Sequence, residues 1–159
     1  MPRANSSYKI FVSHATADKW IATRLCEQLE STGAVYFRDD QHILAGNDIP
    51  DDLRNEIATC SELVALITPE SVNSEWVYIE IAAAWMMKKR IICVLCHVST
   101  DKIPNQIKLK KAIKINELDK YLDEIRERIL KSVDQQRASK KKNKKKKKNR
   151  RTSDTTRTK

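Results

Sequence analysis

From residue 8 onward the chain alternates between two periodicities. Residues 8–13 (YKIFVS) alternate polar and apolar positions and are rich in β-formers, whereas Asp18 to Ser31 sets Trp20, Ile21, Arg24, Leu25, Gln28 and Leu29 at helical spacing. Gly33 follows where a helix ends in a left-handed cap. Residues 34–38 (AVYFR) read as a short second strand, and residues 39–50, which contain Gly46, form a polar loop of a length usually kept for function. Asp51 to Thr59 reads as a helix, with Asp48 or Asp51 lending negative charge to its first turn. Residues 63–67 (LVALI) are a continuous apolar run, expected of a strand covered on both faces, and Pro69 ends it. Ser74 can cap a helix running to about Lys89, whose C-terminal end suits Lys88, Lys89 and Arg90. Residues 91–96 (IICVLC) form a fourth strand and residues 112–116 (AIKIN) a short fifth. Leu118 to about Val133 carries Leu122, Ile125, Ile129 and Leu130 on one stripe. Five strands alternating with helices predict a flavodoxin-like, three-layer α/β domain with a five-stranded, mostly parallel sheet.

Charge divides the chain unevenly. Residues 140–159 hold 12 of the 31 Lys and Arg but only one acid, Asp154, a net +11, so the other 139 residues carry −1 and the formal +10 belongs to the tail. A basic domain built to hold nucleic acid is therefore not indicated. The expected organisation is a flexible N-terminus over 1–7, one domain over 8–136, and a Lys/Arg-rich tail over 137–159. That tail lacks the apolar side chains needed to offset its ordering entropy and is expected to be disordered. It is a solvated segment or an electrostatic ligand for nucleic acid or an anionic membrane. No aromatic interrupts Lys140 to Arg151, so base stacking there is not indicated.

Only two glycines, Gly33 and Gly46, are present, which excludes a Walker loop, a kinase glycine-rich loop and a GxGxxG dinucleotide fingerprint. The first seven residues lack the basic-then-apolar order of a secretory signal, so reduced thiols and a cytoplasmic location are expected. The apolar stretches fall well short of the roughly 20 residues a spanning helix needs. Cys93, Cys96 and His97 resemble a metal or redox motif, but residues three apart on a strand point to opposite faces and there is no second CxxC. No metal site is expected, and all four cysteines are read as structural.

The third helix holds the most informative position. Of the twelve residues from Trp76 to Met87, only Glu80 is charged. A carboxylate in an apolar helix costs several kcal/mol unless it is paired or reaches water in a cleft. Trp76 lies about one turn earlier on the same face, so the pair can form an indole wall beside an acid. Spacing alone leaves open the opposite arrangement, with Glu80 on the solvent stripe of a half-buried helix. In an open parallel sheet the loops beyond the strands' carboxyl ends converge on the ligand crevice. The segments Ser13 to Asp18 and Arg38 to Asp40 would then share one site with Glu80. For His14 a capping role stands beside a catalytic one.

Five segments in order resemble the Toll/interleukin receptor (TIR) domain family: Lys9–His14 with Asp18, Val35–Asp39, Ile43–Gly46, Leu66–Pro69 and Ser74–Glu80. The resemblance spans roughly Tyr8 to Ile129. The WxxxE spacing of Trp76 and Glu80 is similar to that of the family's NAD-cleaving members, in which the acid is catalytic. The resemblance therefore implies an NAD+ glycohydrolase that releases nicotinamide and gives ADP-ribose or a cyclic ADP-ribose product. In bacteria such enzymes typically serve antiphage defence signalling. It further implies that Glu80 is the catalytic residue, that Ser13, His14, Ala15 and Thr16 lie against the nicotinamide riboside, that Asp39 borders the pocket and that Trp76 stacks near the nicotinamide. NAD+ is the substrate, no cofactor is implied, and the working form is a homo-oligomer built through TIR–TIR contacts, with a TIR-containing or effector partner. The same resemblance accommodates an adaptor that catalyses nothing and acts by homotypic assembly.

Overall fold

The computed structural model describes the backbone of residues 8–38, 51–103 and 112–154, and their side chains except at 51, 52, 136 and 139–154. The elements are β1 (Lys9–Ser13), α1 (Lys19–Ser31), β2 (Val35–Arg38), α2 (Asp51–Thr59), β3 (Glu62–Ile67), α3 (Glu75–Met86), β4 (Arg90–Leu95), β5 (Ala112–Lys114) and α4 (Leu118–Asp154). All four strand pairings are parallel and the strand order is β2-β1-β3-β4-β5. This is the doubly wound, flavodoxin-like arrangement predicted from the alternating periods.

The pleat sorts the side chains into two layers. Ile10 and Val12 of β1 join an apolar cluster with Leu25 and Leu29 of α1 and Tyr121 and Ile125 of α4. Phe11, between them in sequence, joins the other cluster with Leu53 and Ile57 of α2 and Val77 and Ile81 of α3. Each fully buried Leu or Ile contributes about 1.5–3 kcal/mol, and both β3 and β4 are buried on both faces as their continuous apolar runs require.

Local chemistry explains most element ends. Gly33 takes φ +90° after α1, and its N–H donates to the Glu30 carbonyl at 2.9 Å. Ser74 caps α3, its hydroxyl accepting from the Val77 N–H at 3.4 Å. The third helix stops at Met86, short of the expected Lys89, because Lys88 adopts φ +54° and the Lys89 N–H returns to the Ala84 carbonyl at 2.9 Å.

The last helix corrects an expectation. Sequence reading ends it near Val133, whereas α4 continues as helix to Asp154. Lysine is a good helix former, and no Gly or Pro breaks the segment from Leu118 to Asp154. Lack of apolar residues denies this stretch a core, not a local hydrogen-bond ladder. Ile129 is the last described side chain packed against the central cluster. Deleting residues 140–159, a stretch with no large apolar side chain, is therefore expected to leave the melting temperature within about 2 °C of the full chain. Calorimetry of the two forms checks this.

Candidate functional site

Strand order reverses between β1 and β3, and the carboxyl ends of the strands at such a reversal are where open α/β sheets bind their ligands. In register Ser13, the last residue of β1, lies beside Ala65 of β3. Ser13, His14 and Ala15 are all buried, and the Ser13 hydroxyl has no hydrogen-bond partner among the described residues. Thr16 is exposed at the start of a short 3-10 turn. Asp39 and the loop over 39–50, with Gly46 and His42, lie outside the described residues.

The loop after β1 is tied to the loop after β3 by a buried relay. Thr68 donates its hydroxyl to Asp18 Oδ2 at 2.6 Å and accepts the Ser71 N–H at 3.0 Å, while the Thr68 N–H donates to Ser71 Oγ at 2.7 Å. Asp18, Thr68 and Ser71 are all buried. Sequence reading placed Asp18 and Thr68 in separate motifs without joining them, and missed Ser71. The available signal was a hydroxyl directly after a fully buried strand, at the end of the sheet where ligands bind. Thr68→Val keeps the volume but removes the donor to a buried carboxylate, with an expected loss of about 2–3 kcal/mol. A lowered urea midpoint with unchanged slope checks it.

The same loop delivers the chain into α3. Val77, Ile81 and Ala84 recur at i, i+4 and i+7 and face the sheet, which turns Glu80 inward beside them. Glu80 is only 1% exposed. The arrangement with Glu80 on a solvent stripe is thereby excluded. Trp76 donates its indole N–H to Glu80 Oε1 at 3.0 Å, and its ring is half-buried against the α2–α3 cluster. Both residues sit in the first turns of α3, at the carboxyl edge of the sheet from which the helix departs.

The cysteines are free and buried, with Cys93 in the α2–α3 layer and Cys96 in the α1–α4 layer. Burial pushes the Cys93 thiol up to about 12, and burial with the Asp18 charge raises Cys96. Neither is a thiolate near neutral pH. Among the described residues no cluster of His, Cys, Asp or Glu is arranged to hold a metal ion. A cavity of about 460 Å³ lined by Trp20, Arg24, His97 and Asp119 lies in the α1–α4 layer, across the sheet from Glu80. No helix among the described residues is long and apolar enough to cross a membrane.

An open, doubly wound parallel sheet with an acid and an indole at its switch-point edge defines a flavodoxin-like α/β protein. Residues 10–130 match the family described as TIR domain, and the chain belongs to that family. It is 26% identical over 115 residues to the probable 2' cyclic ADP-D-ribose synthase BdTIR of Brachypodium distachyon, an alignment covering 71% of this chain and 50% of that protein. The chain thus spans about half the length of this curated relative. Among solved structures, the TIR domain of the Toll-related receptor TRR-2 from Hydra magnipapillata has a TM-score of 0.56 at 16% identity, over 79% of this chain and 97% of that one. A TIR-STING receptor from C. gigas also gives 0.56 at 21% identity, over 81% and 40%. The CMP N-glycosidase BcmB of Clostridium botulinum gives 0.51 at 22% identity, over 74% and 96%. At these identities the structures establish the fold alone.

Proposed function

We propose that this chain cleaves NAD+ at the bond between nicotinamide and ribose, with Glu80 as the catalytic residue. The observation that carries the reading is the Glu80 carboxylate, the lone charge between Trp76 and Met87, turned inward and receiving the Trp76 indole N–H. Nicotinamide departs from its pyridinium as a neutral ring, so no general acid has to protonate it and one carboxylate can serve in place of the usual glycosidase pair. As the bond lengthens, positive charge develops on the anomeric carbon and ring oxygen of the ribose. A fixed carboxylate accepting the ribose hydroxyls stabilises that charge more in the transition state than in the ground state. Trp76 offers an aromatic face to the cationic ring. Water attacking the anomeric carbon and losing a proton gives ADP-ribose. An adenine nitrogen or a ribose hydroxyl attacking instead, with loss of its proton, gives a cyclic product. Similarity to a protein named as a 2' cyclic ADP-D-ribose synthase supports the cyclic outcome.

Ser13, His14 and Ala15 form the floor beneath the nicotinamide riboside in this reading, and Asp39 borders the opening. Assembly through TIR–TIR contacts completes the site, and the biological setting is cytoplasmic defence signalling. The test is incubation of concentrated, purified protein with NAD+, followed by chromatography and product mass. Release of nicotinamide with a product mass of ADP-ribose, or of ADP-ribose less one water, is expected. Unchanged NAD+ in the presence of assembled protein would replace the enzymatic reading with that of an adaptor.

A further inference from the structure

On the face of the sheet opposite Glu80, the cavity of about 460 Å³ between α1 and α4 falls within the roughly 300–1,000 Å³ of small-molecule pockets. It lies at the carboxyl edge of the sheet, since His97 follows the end of β4 and Asn116 the end of β5. Leu25, Cys96 and Leu118, all buried, give it an apolar floor. Polar side chains reach it from three places: Arg24 and Gln28 from α1, His97 from the turn after β4, and Asn116 and Asp119 from the entry to α4. Gln28, His97, Asn116 and Asp119 are exposed, and their side chains have no hydrogen-bond or ion-pair partner among the described residues. Arg24 pairs with Glu27 at 2.9 Å, but both are solvent-exposed, so the pair yields readily to a stronger anion. His97 adopts φ +59°, a left-handed backbone rare for residues other than glycine and concentrated at ligand sites. Trp20 lines the same cavity and is 71% exposed, so most of its indole is open to a ligand.

We propose that this cavity is a binding site for a mononucleotide. The indole of Trp20 offers a stacking face that any base can use. Gln28 and Asn116 each carry a donor and an acceptor, the combination that the polar edge of a base presents. Arg24 lies one helical turn after Trp20, about 5–6 Å away between Cβ atoms, a separation that a ribose spans between its base and its phosphate. A guanidinium there presents its planar fork to the phosphate oxygens. Asp119, an acceptor on the α4 side of the cavity, suits the ribose hydroxyls. One guanidinium with a carboxylate in the same cavity matches one phosphate, whereas a di- or triphosphate brings more repulsion than the site can offset. A wholly apolar ligand would take these polar groups out of water with no partner. The site is on the other face of the sheet from Trp76 and Glu80, and its test reads binding alone. Its failure is therefore distinct from absence of NAD+ cleavage.

The full chain, titrated with adenosine monophosphate (AMP) at low ionic strength and followed by backbone amide NMR, is expected to show shifts centred on Trp20, His97 and Asn116. A Kd below about 0.5 mM is expected, with adenosine about tenfold weaker for want of the phosphate and inorganic phosphate weaker again. Arg24→Ala should weaken AMP about tenfold and leave adenosine unchanged, whereas Trp20→Ala should weaken both. Both side chains are exposed, so neither substitution removes core packing, and circular dichroism melts establish that each variant folds. Absence of shifts up to about 10 mM AMP overturns the proposal. So does affinity indifferent to Trp20→Ala. Shifts centred on Trp76 and Glu80 instead would move the nucleotide to the other face of the sheet, and phosphate binding as tightly as AMP would reduce the cavity to an anion site.

Discussion

Glu80→Gln is expected to lower nicotinamide release from NAD+ by at least about 100-fold, equivalent to roughly 2.7 kcal/mol of transition-state stabilisation. Glutamine preserves the volume of the side chain and an oxygen that can accept the Trp76 indole N–H, so the 3.0 Å contact has a neutral equivalent. In the proposed reaction, what it removes is the negative charge that stabilises the sugar as that sugar becomes cationic. A neutral amide is cheaper to bury than a carboxylate at a position only 1% exposed, so the melting temperature should hold or rise slightly. Loss of activity with retained stability separates this role from a structural one. Chromatographic quantification of nicotinamide and a thermal melt of the same preparation supply both readouts. Full turnover by the variant would reassign the acid.

At the opposite edge of the sheet, Glu62→Ala is expected to destabilise the fold by about 3 kcal/mol, the lower end of the range for breaking a buried ion pair from one side. Glu62 opens β3 and is completely buried. One carboxylate oxygen accepts the Tyr121 hydroxyl at 2.7 Å, and the other accepts Arg128 Nη1 at 2.7 Å, with Arg90 Nε 3.7 Å away. These contacts fasten α4 to the amino end of the central strand. Burial, then the Glu62 charge, holds the Tyr121 phenol well above the ordinary tyrosine range, so it is a neutral donor throughout the working pH range. Removing Glu62 strands the Tyr121 hydroxyl and takes one of Arg128's two carboxylate partners, leaving Glu124 at 2.8 Å to hold the guanidinium. The surviving partner is the reason for the lower figure. Glu62→Gln, which keeps an acceptor for Tyr121, should cost less. Urea unfolding of the two variants orders them, and NAD+ cleavage should persist wherever the protein remains folded.

The two acids differ in how far the sequence could speak for them. Glu80 is conspicuous as the lone charge between Trp76 and Met87, and Trp76 one turn away is equally legible. Its direction is not, because a helix apolar on every side has no face that periodicity can assign to the core. Packing of Val77, Ile81 and Ala84 against the sheet makes that choice. Glu62 gave no comparable signal, since an acid before an apolar strand ordinarily reads as a solvated strand end. Its partners Tyr121 and Arg128 lie 59 and 66 residues away. The Asp18–Thr68 relay spans 50 residues and was hidden for the same reason.

By itself the sequence determined the alternation of strands and helices, the double-sided burial of β3 and β4, the caps at Gly33 and Ser74, and the separation of Cys93 from Cys96 across the sheet. Each of these follows from the conformational energy of a few neighbouring residues and the two-residue and 3.6-residue repeats of the backbone. The tertiary structure decided which way Glu80 turns, what Glu62 and Asp18 hold, and that side chains from α1 and α4 meet around one cavity. Those outcomes depend on strand order and register, which bring together groups that no local period relates.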